Sequence, residues 1–223
     1  MNRVLVLVEG QTEEIFVRDV LGPALTDHHV WITPVLITTK RVKDGPNHKG
    51  GAVTWDRVVG DITRCCADSN VVAITTMVDY YGLGDGFDER ATRPRSEPAL
   101  RISEMANALT KQVDDSRFRP FFMLHEFEAL LYSDPSTCAE YLECPSLLNM
   151  MNEAIKTCGG PESVNDSRET APSKRIDASL QKASKNGYTK TIAPLIVQKI
   201  GLEKIRRECP HFNWWVTWLE SLG

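Results

Sequence analysis

VLVLVEGQTE, running from Val4 to Glu13, decides the fold of this chain. An unbroken apolar run from Val4 to Val8, without polar alternation, describes a strand covered on both faces, as at the centre of a parallel sheet. The run stops on Glu9, turns at Gly10 and launches a helix. Glu13 and Glu14 stand in its first turn, where the helix dipole favours carboxylates. Charge is thereby placed at the carboxyl edge of a sheet, the edge where open α/β sheets bind ligands. An ionised Glu9 directly after a buried strand is costly unless it is solvated, paired or held by a cation. Taken alone, Glu9 and Glu13 read as readily structural as functional.

Working outward, the same device repeats. Residues 12–25 carry Ile15, Phe16, Val20 and Ala24 at helical spacing. Val30 to Thr38 is a second strand, which Pro34 pushes toward a sheet edge. Residues 40–51 form a basic, glycine-bearing loop, 53–67 a helix, and Val71 to Val78 a third strand ending on Asp79. A long mobile loop is expected over 80–98 and a helix over 99–113. Phe121 to Leu124 is a fourth strand that runs into His125, Glu126, Phe127 and Glu128. This alternation predicts an α/β fold with a mostly parallel four-stranded sheet flanked by helices. The core would span 1–134, with 135–223 as a helical C-terminal extension packed on it. The polar stretch 159–173 is long for a structureless loop, which is uncommon unless the loop binds something or is disordered.

Composition limits the function classes. The chain has 223 residues, 42% of them hydrophobic and 25% charged, which suits a globular protein with a real core. Lys and Arg total 26 against 30 Asp and Glu, a net charge of −4, so there is no global basic footprint for nucleic acid. Nucleic acid would need a local patch, a metal or a partner. The 6 cysteines show no zinc-ligand spacing and read as free thiols in a reducing cytoplasm. The first strand begins at Arg3, so no leader is expected, and no apolar run approaches the roughly 20 residues that cross a bilayer. A cytoplasmic protein without a membrane partner is expected.

The remaining acids then gain meaning. If strands one and three are neighbours, Asp79 and Glu9 share a crevice. Mg²⁺ takes oxygen ligands, keeps several waters and needs few carboxylates. Asp79 could instead cap its own turn. Glu126 and Glu128 share a face if the strand continues and diverge if a helix begins. His125 reads as an ordinary partly buried histidine, or as a group that orients a carboxylate, binds phosphate or shuttles a proton. Lys174 and Arg175 open a helix after Pro172, where cations oppose the dipole. Either an anion such as phosphate is bound there, or Asp166 and Glu169 neutralise them. Lys40, Arg41, Lys43 and Lys49 read as a solvated loop. Trp214 and Trp218, on one helical face beside Leu219 and Leu222, read as amphipathic core packing rather than a base-stacking platform.

These residues carry a resemblance that runs nearly end to end. VEGQTE at 8–13, KGGAVTW at 49–55, TTMVDYYGL at 75–83, LHEFEALLYSD at 124–134, PESVNDSRETAPSKRI at 161–176 and IGLEKIRRECPHFNWW at 200–215 resemble the domain-of-unknown-function family numbered 4276. The resemblance implies a Toprim-like fold. Toprim enzymes bind Mg²⁺ through a strand-end glutamate and a later D-x-D motif to cleave or join phosphodiesters. Overcoming-lysogenization-defect nucleases are similar, pairing E-x-x-x-E with D-x-D and a further glutamate. Glu9 and Glu13 match the first motif, Asp79 the first acid of the second, and Glu126 or Glu128 the last. Tyr81 stands where the second D-x-D acid would be, so one ligand is missing or replaced.

The implied activity is a Mg²⁺- or Mn²⁺-dependent nuclease acting on DNA or RNA. Glu9, Asp79, Glu126 and Glu128 would be its metal ligands, Glu13 and His125 would assist catalysis, and Lys174 and Arg175 would bind phosphate. The resemblance also implies a partner ATPase of chromosome-maintenance or RecF type in phage defence, with a homodimer as a further expectation. The rival expectations are a degenerate, non-catalytic Toprim module that docks onto an ATPase or nucleic acid, and an effector nuclease directed at tRNA or another RNA.

Overall fold

Alternate residues of strand β1 (Asn2–Val8) face opposite sides of the sheet, and both sides are covered. Val4, Val6 and Val8 belong to one apolar cluster, while Leu5 and Leu7 belong to another. β3 (Ala73–Asp79) divides in the same way: Ala73 and Met77 go to the first side, Ile74 and Val78 to the second. The computed structural model describes residues 1–37, 53–83, 86–87, 98–165 and 170–223. Lys40, Arg41, Lys43, Lys49, Asp166 and Glu169 lie outside the described residues, as do 84–85 and 88–97.

The sheet order is β2-β1-β3-β4, with β5 also paired to β3, and every pairing is parallel. β2 (Val30–Leu36) takes an edge, where Pro34 costs no interior ladder bond. The expected single strand over 121–124 is instead two short ones, β4 (Phe118–Arg119) and β5 (Phe122–Met123). Pro120 falls between them and has no amide to donate.

Helices α3 (Trp55–Cys66) and α4 (Pro98–Val113) cover one face. On the other face, α1 (Gln11–Phe16) continues through a π-helical turn (Val17–Leu21) into α2 (Gly22–Thr26). The expected helix over 12–25 is thus interrupted, at a point where Pro23 lacks the amide an α-helix would use. Gly22 packs closely here: a Cβ would lie 3.1 Å from the Val17 carbonyl oxygen, which would have to shift slightly. The same face carries α5 (Pro135–Tyr141), α6 (Ser146–Cys158), α7 (Pro172–Lys182), α8 (Ala193–Ile200), α9 (Leu202–Glu208) and α10 (Pro210–Glu220). Its apolar cluster is continuous from Val4 through Phe127 and Leu147 to Leu219.

Three expectations are corrected. Where it is described, the segment after Asp79 is built rather than loose: Tyr80–Gly82 is a 3₁₀ turn, Leu83 bridges to Val53, and Phe87 is buried against Trp55. The polar stretch 159–173 contains a 3₁₀ turn (Pro161–Ser163) and the buried Glu162, Val164 and Asn165. Glu162 accepts hydrogen bonds from the His211 and Phe212 amides, both at 2.8 Å, and so caps α10. In α10 the core tryptophan is Trp215, whose Nε1 donates to Thr75 Oγ1 at 3.0 Å, while Trp214 is 47% exposed. All cysteines are unpaired. Among the described residues no helix is long and apolar enough to cross a membrane.

Candidate functional site

β1 and β3 are neighbours, with Val8 opposite Met77, so Glu9 and Asp79 emerge side by side at the carboxyl edge of the sheet. Glu13, one turn into α1, folds its Oε2 back to accept the Gly10 amide at 3.1 Å and fixes the turn after Glu9. Asp79 Oδ1 accepts the Phe127 amide at 2.9 Å and caps the 3₁₀ helix Phe127–Ser133. That bond ties the end of β3 to the His125–Glu128 segment.

Glu126 and Glu128 are then held by separate partners. Glu126 Oε2 accepts from the Ser173 amide at 3.2 Å and the Ser173 hydroxyl at 2.8 Å, at the first turn of α7. Glu128 is fully buried. Its Oε1 accepts from the Tyr188 hydroxyl at 3.5 Å, and its Oε2 lies 3.4 Å from Lys190 Nζ. Lys190 also stands 3.8 Å from Glu126 Oε1, and its side chain is half exposed.

Crowding carboxylates around one ammonium leaves them short of positive charge. Burial, with Glu13 nearby, pushes Glu9 up to about 7, against the pull of Lys190 and the Asp79 amide. Burial pushes Glu128 up to about 7 as well, opposed chiefly by Lys190. Burial, then Glu13, Glu9 and Glu128, raise Asp79 well above the usual carboxylate range. Burial also raises Glu13. Desolvation pulls Lys190 down, but Glu128, Asp79, Glu126 and Glu13 outweigh it and hold the ammonium above its ordinary value. The arrangement suits an additional cation.

The donor chemistry can be tested against a divalent metal. All the donors are carboxylate oxygens, as hard cations prefer. Glu9 Oε2 and Glu128 Oε2 are buried and accept no hydrogen bond among the described residues. Donor type and charge fit Mg²⁺ or Mn²⁺. As the side chains stand, however, no three His, Cys, Asp or Glu among the described residues converge on one point as metal ligands do.

The other residues singled out from sequence are placed differently. His125 is buried and pushed down to about 4, so its imidazole is neutral at pH 7. Its Nδ1 has no hydrogen-bond partner among the described residues, and its ring stacks on Tyr81 at 5.4 Å. Lys174 is exposed, and Arg175 donates to the Thr170 carbonyl at 2.6 Å. The anion at the start of α7 is the chain's own Glu126. Sequence reasoning missed Lys190, Tyr188 and Ser173. The first two lie in no motif. Ser173 stands at the opening of a helix, where free amides attract an anion, and that was its signal.

Fold and site together define an α/β protein with a parallel sheet flanked by helices and a carboxylate cluster at the carboxyl edge of that sheet. The chain belongs to the family described as Domain of unknown function (DUF4276), whose model matches residues 8–220. No curated protein and no solved structure matches the chain.

Proposed function

We propose that this protein is a Toprim-type, Mg²⁺- or Mn²⁺-dependent nuclease that hydrolyses phosphodiesters of DNA or RNA. The observation that carries the proposal is the gathering of Glu9, Glu13, Asp79, Glu126 and Glu128 at one sheet edge, with Lys190 as the cation they share. Perturbed carboxylates at a ligand-binding edge are a functional-site signature. The Toprim assignment rests on the strand-end Glu9 and on Asp79 after β3.

Glu9, Asp79 and Glu128, with Glu126, would hold the metal, which polarises phosphate and activates water. Glu13 positions the turn that carries Glu9, through its bond to Gly10. His125, as a neutral imidazole, can take a proton at Nδ1. Lys190, half exposed beside Glu126 and Glu128, can meet the phosphate and its developing negative charge. Lys174, exposed at the start of α7, serves as an outer phosphate contact. The partner ATPase and a role in defence enter through the family resemblance.

Replacing Glu9 by Gln is expected to abolish metal-dependent cleavage while the protein melts at or above the wild-type temperature. Cleavage by E9Q at the wild-type rate would sink the proposal. The second reading, a non-catalytic docking module, is favoured by Tyr81 in place of an acid and by the unconverged donors. Titration calorimetry with Mn²⁺ separates the two, because a module without an ion site shows no saturable binding.

A further inference from the structure

Parallel rings run from the core to the surface on the outer side of β4 and β5. The buried Trp215 stacks on Phe121 at 4.5 Å and 9°. Phe121 stacks on His211 at 4.9 Å and 24°, and His211 lies parallel to Trp214 at 6.3 Å and 10°. The series ends at Trp214, which is 47% exposed. The Arg119 guanidinium lies 4.3 Å from the Trp214 ring centre and 5.1 Å from that of Trp218.

Beside this stack a cavity of about 480 Å³ opens toward α4. Its α4 wall combines Ile102 with smaller side chains, Ser103 and Asn107 among them. The volume falls in the range of small-molecule pockets. His211 is fixed in the wall by its Nε2 contact with the Phe122 carbonyl at 2.9 Å.

We propose that this groove binds single-stranded nucleic acid, stacking a base against the Trp214–Arg119 platform and engaging phosphate through Arg119. An exposed indole with a flat guanidinium is the usual construction for sequence-tolerant binding of single strands. The Arg119 guanidinium has no hydrogen bond or ion pair among the described residues, and partial burial lowers its pKa. A guanidinium with unused donors suits an anion. Ser103 and Asn107 can reach the edge of an inserted base. With no global basic footprint, nucleic acid would have to be held by a local patch of this kind.

A protein strand is the poorer occupant, because Pro120 removes an amide donor from the β4–β5 edge. A duplex keeps its bases stacked inside and cannot use the indole. No residue of the acid cluster lines the groove, although Phe122 does and the next residue, Met123, pairs with Asp79. The inference rests on the nuclease reading only where it names single strands as that enzyme's substrate. Binding itself does not require cleavage.

Binding is therefore measured in EDTA by fluorescence polarisation, with labelled oligo-dT, oligo-U and a duplex, on wild type, Trp214→Ala, Trp214→Phe and Arg119→Ala. Circular dichroism melting confirms that the variants fold, as expected for a half-exposed Trp214. Single strands should bind wild type more tightly than duplex. Loss of the indole should weaken binding about tenfold or more, with W214F largely restoring it and R119A weakening it similarly. The two strand chemistries report whether DNA or RNA is preferred. The proposal is overturned by wild-type binding in both W214A and R119A, or by no binding of either strand. A nucleoside monophosphate binding as tightly as the strands would also overturn it, as would a Trp214-dependent dimer in place of strand binding. Metal-dependent cleavage without groove-dependent binding would remove this inference and leave the nuclease reading standing. The converse result would do the reverse.

Discussion

Lys190 Nζ sits 3.4 Å from Glu128 Oε2, so the fully buried carboxylate of the β5-to-α5 connection depends on an ammonium delivered by the turn before α8. The same ammonium lies 3.8 Å from Glu126. It is the shared counter-ion of the cluster, which makes it a stability element as well as a candidate for contact with phosphate.

Replacing Lys190 by Met should therefore destabilise the metal-free protein at pH 8. The loss should be roughly 1–3 kcal/mol, less than for a fully buried pair because the lysine is half exposed to water. Thermal melting measures it. Saturating Mn²⁺ should recover most of the loss if the acids bind that ion, and should recover none if they do not.

A pH dependence follows from Glu9 and Glu128, both held at about 7 in the fold against an ordinary value of 4.5. Between those values the folded state binds more protons than the unfolded state, so stability falls as pH rises through the window. A tenfold difference in proton affinity between the two states is worth about 1.4 kcal/mol before screening. The metal-free protein should thus melt at a higher temperature at pH 5 than at pH 8. Mg²⁺ or Mn²⁺ should raise the melting temperature more at pH 8 than at pH 5, because metal ligands must be ionised. A melting temperature independent of pH from 5 to 8 would contradict the burial of these acids at this edge.

How much of this is legible in the sequence depends on whether a contact is local or made by distant segments. Val4 to Val8 announces a central strand because its apolar run has no alternation, and Pro34 announces an edge because a missing amide is a local fact. Glu9 and Asp79 can be paired because parallel neighbours bring their carboxyl ends together. Lys190 cannot be found this way, since no spacing rule links a turn before α8 to the end of β5. Helical periodicity assigns Trp214 and Trp218 to the core; Trp218 does pack against it, but Trp214 is exposed, and the fully buried face of α10 carries Phe212, Trp215, Val216 and Leu219. The register of that helix is set by Glu162 and Thr75, far away in the chain.

Glu162 supplies a third prediction, independent of the acid cluster. Its carboxylate receives two amides at the start of α10, and that helix carries both the buried Trp215 and the exposed Trp214. Glu162→Ala leaves both amides unpaired at a buried helix end. The expected cost is about 2–4 kcal/mol, since hydrogen bonds to charged groups are among the stronger ones. Chemical denaturation would report it, with near-ultraviolet dichroism of the tryptophans showing α10 loosened first.

Ser173 offers the sharpest separation of structure from function. Its hydroxyl donates to Glu126 Oε2 at 2.8 Å and its amide donates to the same oxygen at 3.2 Å. Ser173→Ala removes only the first bond. Glu126 keeps the amide and Lys190, so the fold should lose only about 1 kcal/mol. The carboxylate would nevertheless be freer to turn, and a cation site tolerates poorly a ligand that is no longer oriented. Mn²⁺ binding should weaken by roughly tenfold or more in S173A, while Ser173→Thr retains the hydroxyl and should stay near wild type. Calorimetric titration of the three proteins decides the matter. If S173A binds Mn²⁺ as tightly as wild type, Glu126 is a helix-capping residue only, and the ligand set contracts to Glu9, Asp79 and Glu128.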